Sequence, residues 1–364
     1  MTRQPLRVLH VETGHEWRLT RNQVTLLLQG LAGVPYVEQT VATLARSRLA
    51  TGAKELGIPV ISLPSSSGTD PRALRMLARH ARRHWHIVHA HDTHALRLTA
   101  YLMALEGSQS RIVATRRTVS SPRSGWKWRR AHRVLAVSDS ARDSLVESGV
   151  ERSRIAVVPE GVDAEGLEPQ EPGRLRQAAG ARTSAFFVAS LAALGTDRDH
   201  ATLIQAASLV VKRHPSVRFA IFGEGPERAR LENLIDALGL EGWVCLPGYV
   251  RDARTSLCDL DVFVMPSLRE ELSTGCLEAM WTGLPVVMTA TGDGRLRGAG
   301  IEPVASRDPA GMAAAIGRLV EDPDSRRRAG RRARRYALAH RAERMVHATL
   351  EAYETVARRG GRRS

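Results

Sequence analysis

The sequence predicts an α/β protein built from two doubly wound domains, each a parallel sheet with helices on both faces. Short β-branched runs alternate with longer stretches of helical periodicity along the whole chain. Residues 163–173 are acidic, carry Pro and Gly, and are short of large apolar groups, which is the composition of a linker. The length of 364 residues suffices for two domains, and an apolar fraction of 43% excludes global disorder.

The elements follow in order. The first half predicts strands near 8–11, 60–63, 87–89, 112–114, 134–137 and 155–158. Each is followed by Gly, Ser, Asp or Pro and then usually by a helix-like stretch. The second half predicts strands near 186–189, 217–222, 244–246, 262–265 and 286–289. Repeated βα alternation argues for parallel sheets covered on both faces. Residues 1–165 form the expected first domain and 166–340 the second. Residues 325–335 are crowded with arginine. From 341 onward Val346, Leu350, Tyr353 and Ala357 recur at helical spacing, so a helix over 341–364 is expected to pack back on the first domain. Two such sheets imply a cleft between the domains, with ligand bound beyond the carboxyl ends of the strands.

The formal net charge of +15 favours anionic partners: nucleic acid, acidic lipid or a phosphorylated substrate. A nucleic-acid reading lacks a reader motif or an aromatic platform. Cys245, Cys258 and Cys276 lack metal-ligand spacing and cannot all pair, which points to a reducing, cytoplasmic compartment. No apolar run reaches the ~18 residues of a membrane helix, and the run 6–11 is too short for a signal-peptide core.

The most informative segment runs from Ser267 to Met280, after the strand at 262–265. It reads as a polar loop turning into a helix, with Glu270 and Glu278 on either side of the turn. A helix start offers free N–H groups and a positive dipole end, which suit a phosphate. Carboxylates flanking it can accept hydrogen bonds from hydroxyls beside that phosphate. Diphosphate plus hydroxyls describes a nucleotide sugar. On spacing alone, an acidic loop with a favourable first-turn charge explains the same residues equally well.

Taken together, these residues resemble the large retaining family of GT-B glycosyltransferases, the fourth in the usual classification, and its bacterial members that build surface polysaccharide or lipopolysaccharide core. The family signature is a glutamate, seven residues and a second glutamate, matched by Glu270 and Glu278. The resemblance implies that Glu270 meets the donor sugar and Glu278 the ribose, with the amides of Ser273, Thr274 and Gly275 facing the diphosphate. Residues 195–200 resemble the loop whose basic residue clamps the diphosphate, which assigns Arg198 that role. Gly223 matches a glycine turn after a strand, and Tyr249 and Val250 lie in the segment whose backbone reads the base. In the first half, His89 and His91 lie two apart at a strand end and so on one face. The resemblance carries His91 to the catalytic site and His89 to a supporting place on the acceptor side, with Gly14 in the first loop. Two histidines also allow a metal, but no third ligand is evident nearby and the family uses none, so no metal or other cofactor is expected.

The chain departs from the family at glycine positions. Glu271 and Ser273 replace glycines beside Glu270, Leu19-Thr20 replace a glycine pair, and Gly292-Asp293-Gly294-Arg295 interrupt another. The resemblance implies transfer of a sugar from a nucleoside diphosphate sugar to a lipid-linked or glycan hydroxyl. A non-catalytic homologue that binds a nucleotide or a partner, and a sugar-nucleotide epimerase, remain as alternatives. Arg116, Arg117, Arg123, Lys127, Arg129, Arg130 and Arg133 cluster around Trp126 and Trp128, and Arg72, Arg75, Arg79, Arg82 and Arg83 extend that surface, which predicts a face for acidic membranes on the inner side of the cytoplasmic membrane or for a phosphorylated lipid-linked acceptor.

Overall fold

The computed structural model describes residues 5–14, 23–81, 85–106, 110–117, 125–167, 172–268, 272–290, 296 and 298–360. It divides into two compact units: residues 1–16, 22–161 and 342–364 in the first, 17–21 and 162–341 in the second.

The first unit holds β1 (Leu6–Val11), β2 (Val37–Leu44), β3 (Val60–Leu63), β4 (Ile87–Ala90), β5 (Arg111–Arg116), β6 (Arg133–Ala136) and β7 (Ile155–Val157). They form one sheet in the order β3-β2-β1-β4-β5-β6-β7, with every pair parallel. The second unit holds β8 (Phe186–Leu191), β9 (Val217–Phe222), β10 (Val244–Gly248), β11 (Val262–Met265), β12 (Val286–Thr289) and β13 (Ile301–Val304). Their order is β10-β9-β8-β11-β12-β13, again all parallel. Both sheets therefore reverse their winding beside their first strand, between β1 and β4 and between β8 and β11. That is the position where open α/β sheets bind ligands.

β2 and β13 are additions to the sequence reading. β13 is the edge strand Ile-Glu-Pro-Val, and its Pro303 is tolerated because an edge strand need not donate to a further neighbour. β2 buries only its second half, so its apolar signal is diluted.

Each sheet is buried on both faces. In the first unit, Leu9, Val88, Ile112 and Val134 pack under one layer of helices. Val8, Ile87, Val113 and Leu135 pack on the other side against Gln23–Ala32 and Ala342–Gly360, through Met345, Val346, Tyr353 and Val356. Burial of this kind contributes about 25 cal/mol per Å² of apolar surface removed from water. Helix starts carry the expected chemistry. Asp308 and Asp322 cap the helices Pro309–Glu321 and Pro323–Ala337, each with Pro in the first turn. Ser138 caps Asp139–Glu147 by accepting from the Ala141 N–H, an ordinary structural role.

Part of the predicted membrane face turns inward. Trp128 is 1% exposed, with the buried Arg116 guanidinium 5.3 Å from its ring centre, and Lys127 is buried too. Trp128 fills space under the first sheet, where an indole removes a large apolar area from water. Arg117 is also withdrawn, paired with Glu160 at 3.3 Å. Trp126 remains half-buried beside the exposed Tyr101, and Arg82, Arg83 and Arg123 lie outside the described residues.

Candidate functional site

The second unit's switch point gathers most of the predicted donor residues. The chain leaving β8 forms a short turn, Thr196–Arg198, before the helix His200–Arg213. The chain leaving β11 reaches Leu268, whose N–H donates to the Asp197 carbonyl at 2.9 Å. This bond ties the Arg198 loop to the segment leading to Thr274–Trp281. Asp199 follows Arg198 in a left-handed conformation, φ 47°, which Asp tolerates better than most residues. Strain of this kind clusters where a loop must hold one shape for a ligand.

Ser273 caps the helix Thr274–Trp281. Its Oγ accepts from the Cys276 N–H at 3.2 Å and donates to Met265 Sδ at 3.1 Å. A serine at this glycine position therefore has a job: it holds the helix start against the end of β11. The N–H groups of Thr274 and Gly275 stand at the head of the helix, where the dipole's positive end lies. Glu278 is the fifth residue of the helix and is 3% exposed, among buried apolar groups. Glu270 and Glu271 lie outside the described residues, as do Leu19-Thr20 and 292–295.

Gly223 follows β9 and makes this crowding possible. Its N–H donates to the Gly248 carbonyl at 2.9 Å, and a Cβ there would collide with the Ala192 carbonyl of the β8 loop. Its φ of 148° also suits glycine alone. Tyr249 and Val250 follow β10, next to that contact, and Tyr249 is 41% exposed. Arg198, Gly223, Ser273 to Gly275 and Tyr249 thus all lie at the carboxyl ends of adjacent strands.

The first unit's switch point is built differently. Asp92, just after β4, accepts from the Thr13 N–H at 2.6 Å and the Thr13 hydroxyl at 2.9 Å. It also accepts from the His94 and Ala95 N–H groups, capping Thr93–Glu106. One carboxylate therefore joins the loops after β1 and β4, beside the exposed Gly14. Sequence reading passed over Asp92. Its signal is an Asp two residues beyond a strand and just before a helical run.

His89 and His91 lie on one face, and the structure adds a third imidazole. His10 of β1 is the register partner of His89, and ligating atoms of all three lie within 4.8 Å of one another. His10 Nδ1 and His91 Nε2 are 3.0 Å apart. His89 Nδ1 meets the Tyr353 hydroxyl at 2.6 Å and its Nε2 the Thr115 hydroxyl at 2.8 Å. Burial pushes the His10 imidazole down to about 3 and holds His89 and His91 well below the usual range, with neighbouring imidazoles and the Arg117 guanidinium acting in the same direction on His89 and His91. All three are neutral at pH 7.

The sequence reading found no third ligand beside His89 and His91; His10 corrects it. Three neutral imidazoles are the right donors for zinc. Yet both nitrogens of His89 already have partners, and the Arg117 cation acts on His91 in the same direction as the neighbouring imidazoles.

The family described as "Glycosyltransferase Family 4" matches residues 17–165, and that described as "Glycosyl transferases group 1" matches 182–322. HepE of Anabaena, solved in complex with UDP and glucose, superposes with a TM-score of 0.80 at 20% identity, covering 96% of this chain and 99% of that one. The chain has the GT-B fold, and its two halves are each similar to part of a glycosyltransferase family.

The chain also resembles D-inositol 3-phosphate glycosyltransferase of Corynebacterium urealyticum, 30% identical over 61% of this chain and 57% of that protein. A lipopolysaccharide core biosynthesis glycosyltransferase, LpsD of Rhizobium meliloti, is 34% identical over 40% of this chain and 42% of its own length. The chain spans less than two thirds of the length of the curated relatives it matches first.

Proposed function

We propose that this chain is a retaining glycosyltransferase that moves a sugar from a nucleoside diphosphate sugar to a hydroxyl acceptor in the assembly of lipopolysaccharide or another surface glycan. The observation that carries the reading is the convergence at the second unit's switch point. There, Arg198 and the helix start Ser273-Thr274-Gly275 are bridged by the Leu268–Asp197 bond. The complex of HepE with UDP and glucose and the likeness to LpsD support the substrate class.

In this reading the acceptor oxygen bonds to the anomeric carbon as that carbon's bond to the diphosphate breaks. The diphosphate leaves with the electron pair, and the acceptor proton passes to it. Arg198 and the amides of Thr274 and Gly275 stabilise the charge that develops, without a metal. Glu278 holds the ribose, and Glu270 and His91 act at the sugar. Front-face attack and retention follow from the family resemblance. An epimerase would turn over without acceptor, whereas this reading requires one.

Glu278→Ala is the first test. A hydrogen bond to a charged group contributes about 1.5–3 kcal/mol, so UDP affinity should fall by about 10- to 100-fold in a folded variant. Calorimetry showing unchanged affinity for UDP and for other nucleoside diphosphates would remove Glu278 from the site.

The same reading places the chain at an acidic membrane face. The support is the exposed arginines Arg72, Arg75 and Arg79 on Pro71–Ala81 and the group formed by Tyr101, Trp126 and Arg130. Flotation with acidic vesicles should exceed that with neutral ones and fall with salt. Equal recovery from both would confine the protein to soluble acceptors.

A further inference from the structure

Among the described residues, the three buried imidazoles are the densest group of titratable side chains, and only His91 has a role in the proposed reaction. His10 comes from a different strand, is fully buried, and points one ring nitrogen at His91. A buried imidazole in that position determines which nitrogen of its neighbour carries the proton.

The hydrogen-bond inventory selects one arrangement. Gln39 on β2 donates from its Nε2 to the Leu28 carbonyl at 3.1 Å, which fixes the amide and leaves Oε1 as an acceptor. Gln39 Oε1 and His10 Nε2 are both buried without a conventional hydrogen-bond partner. Gln39 is also the side chain whose hydrogen bonding favours a proton on His10, although burial wins and keeps the ring neutral. Val8 pairs with Gln39 across β1 and β2, so Gln39 lies one step along the strand from His10 on the same face. The register sets the two side chains side by side on one face, so a proton on His10 Nε2 is the state that can satisfy both buried atoms together. His10 Nδ1 is then bare and must accept, so His91 Nε2 donates the 3.0 Å bond between them. His91 Nδ1 is left unprotonated, with no protein partner among the described residues.

We infer that Gln39 and His10 are positioning residues that fix His91 in the Nε2–H tautomer and present its Nδ1 as a hydrogen-bond acceptor for a substrate hydroxyl. The opposite polarity would point an N–H outward from His91 and leave His10 Nε2 as a bare nitrogen facing the Gln39 oxygen. Two facing acceptors in a dry core repel and go unsatisfied. His89 does not compete, because Tyr353 and Thr115 hold both of its nitrogens. The backbone reinforces the placement: the His91 N–H donates to the Val11 carbonyl at 2.9 Å, and its carbonyl accepts from Arg117 Nη1 at 2.8 Å.

The role of the acceptor nitrogen rests on the transferase reading; the tautomer does not, and the test separates them. The full chain is labelled with ¹⁵N at histidine, and its ring nitrogens are read by long-range proton correlation. His91 is expected to show a protonated Nε2 and an unprotonated Nδ1. Gln39→Leu, at a half-buried position that tolerates an apolar side chain, should mix the His91 tautomers. In a transfer assay the same variant should lower kcat by about tenfold, the effect of one net hydrogen bond, with KM for the donor held within about twofold. His10→Asn, which keeps an acceptor near the Nδ1 position, should restore more of kcat than His10→Leu. A protonated Nδ1 on wild-type His91, or an unchanged tautomer in Gln39→Leu, overturns the inference. An expected tautomer pattern without transfer activity leaves the relay standing and removes the transferase reading instead. Zn²⁺ added to the wild-type protein should leave the three imidazole signals in place. Joint displacement of all three would make the cluster a metal site and overturn the relay.

Discussion

Acidification from about pH 7 to about pH 5 should unfold the first unit while the second keeps most of its stability. His10, His89 and His91 stay neutral when folded, with His10 pushed down to about 3, but each binds a proton near its ordinary value of 6.5 once unfolded. A lowered folded-state value means the unfolded chain takes up more protons as pH falls. Stability is therefore fully present above 6.5 and is lost progressively below it. At pH 5 each such histidine costs roughly 2 kcal/mol relative to pH 7, and three cost roughly 6 kcal/mol. A domain holds only about 5–15 kcal/mol in total. Of the groups facing the cluster, Thr115 and Gln39 carry no ionisable group and burial pushes the Tyr353 phenol up, away from this window, so none of them compensates. In the second unit His200, lowered to about 4 by burial, contributes a single loss of roughly 2 kcal/mol. Hydrogen exchange read by mass spectrometry at both pH values resolves the units separately. Equal loss of protection in both, or none, would show that the three imidazoles carry protons in the folded protein.

Those imidazoles also mark where sequence reading stops. His89 and His91 were legible because they are two apart on one strand. His10 was not, because it meets them only through the β1–β4 pairing, 81 residues away from His91. A histidine within Leu-Arg-Val-Leu-His-Val looks like a satisfied core residue until the register brings another beside it. The alternation of strands and helices was legible for the opposite reason. Strands buried on both faces are written as local apolar runs, and the runs at 217–222, 262–265 and 286–289 coincide with strands. β2 and β13 broke that pattern, one by being half polar and one by carrying Pro303. The inward turn of Trp128 was illegible because a basic, tryptophan-bearing stretch looks alike whether its indole faces lipid or a core. In the donor region Ser273 looked like a defect at a glycine position. Only the bonds to Cys276 and Met265 show it as the cap of its helix.

Arg198→Ala should lower kcat by about 10²-fold while changing stability little, the usual effect of losing one group that meets charge developing on a leaving group. The stability side follows from its surroundings. Its side chain is 22% exposed, and its ion pair with Asp197 spans 3.9 Å. Long, partly hydrated pairs of this kind contribute well under about 1 kcal/mol. The loop keeps its shape without the guanidinium, because the Leu268 N–H still bonds to the Asp197 carbonyl and the Arg198 N–H to the Gly195 carbonyl. The kinetic side follows from timing. Charge on the diphosphate grows as the glycosidic bond breaks, so the lost interaction is strongest in the transition state, and kcat should fall more than donor affinity. Arg198→Lys separates charge from geometry. Lysine keeps the cation but cannot grip two phosphate oxygens at once, so it should recover only part of the rate. Rapid-quench measurement of transfer, beside urea unfolding of each variant, provides both readouts. A rate within about twofold of wild type in Arg198→Ala, far short of the ~10² expected, would assign the clamp to another base and leave Arg198 a surface residue of its loop.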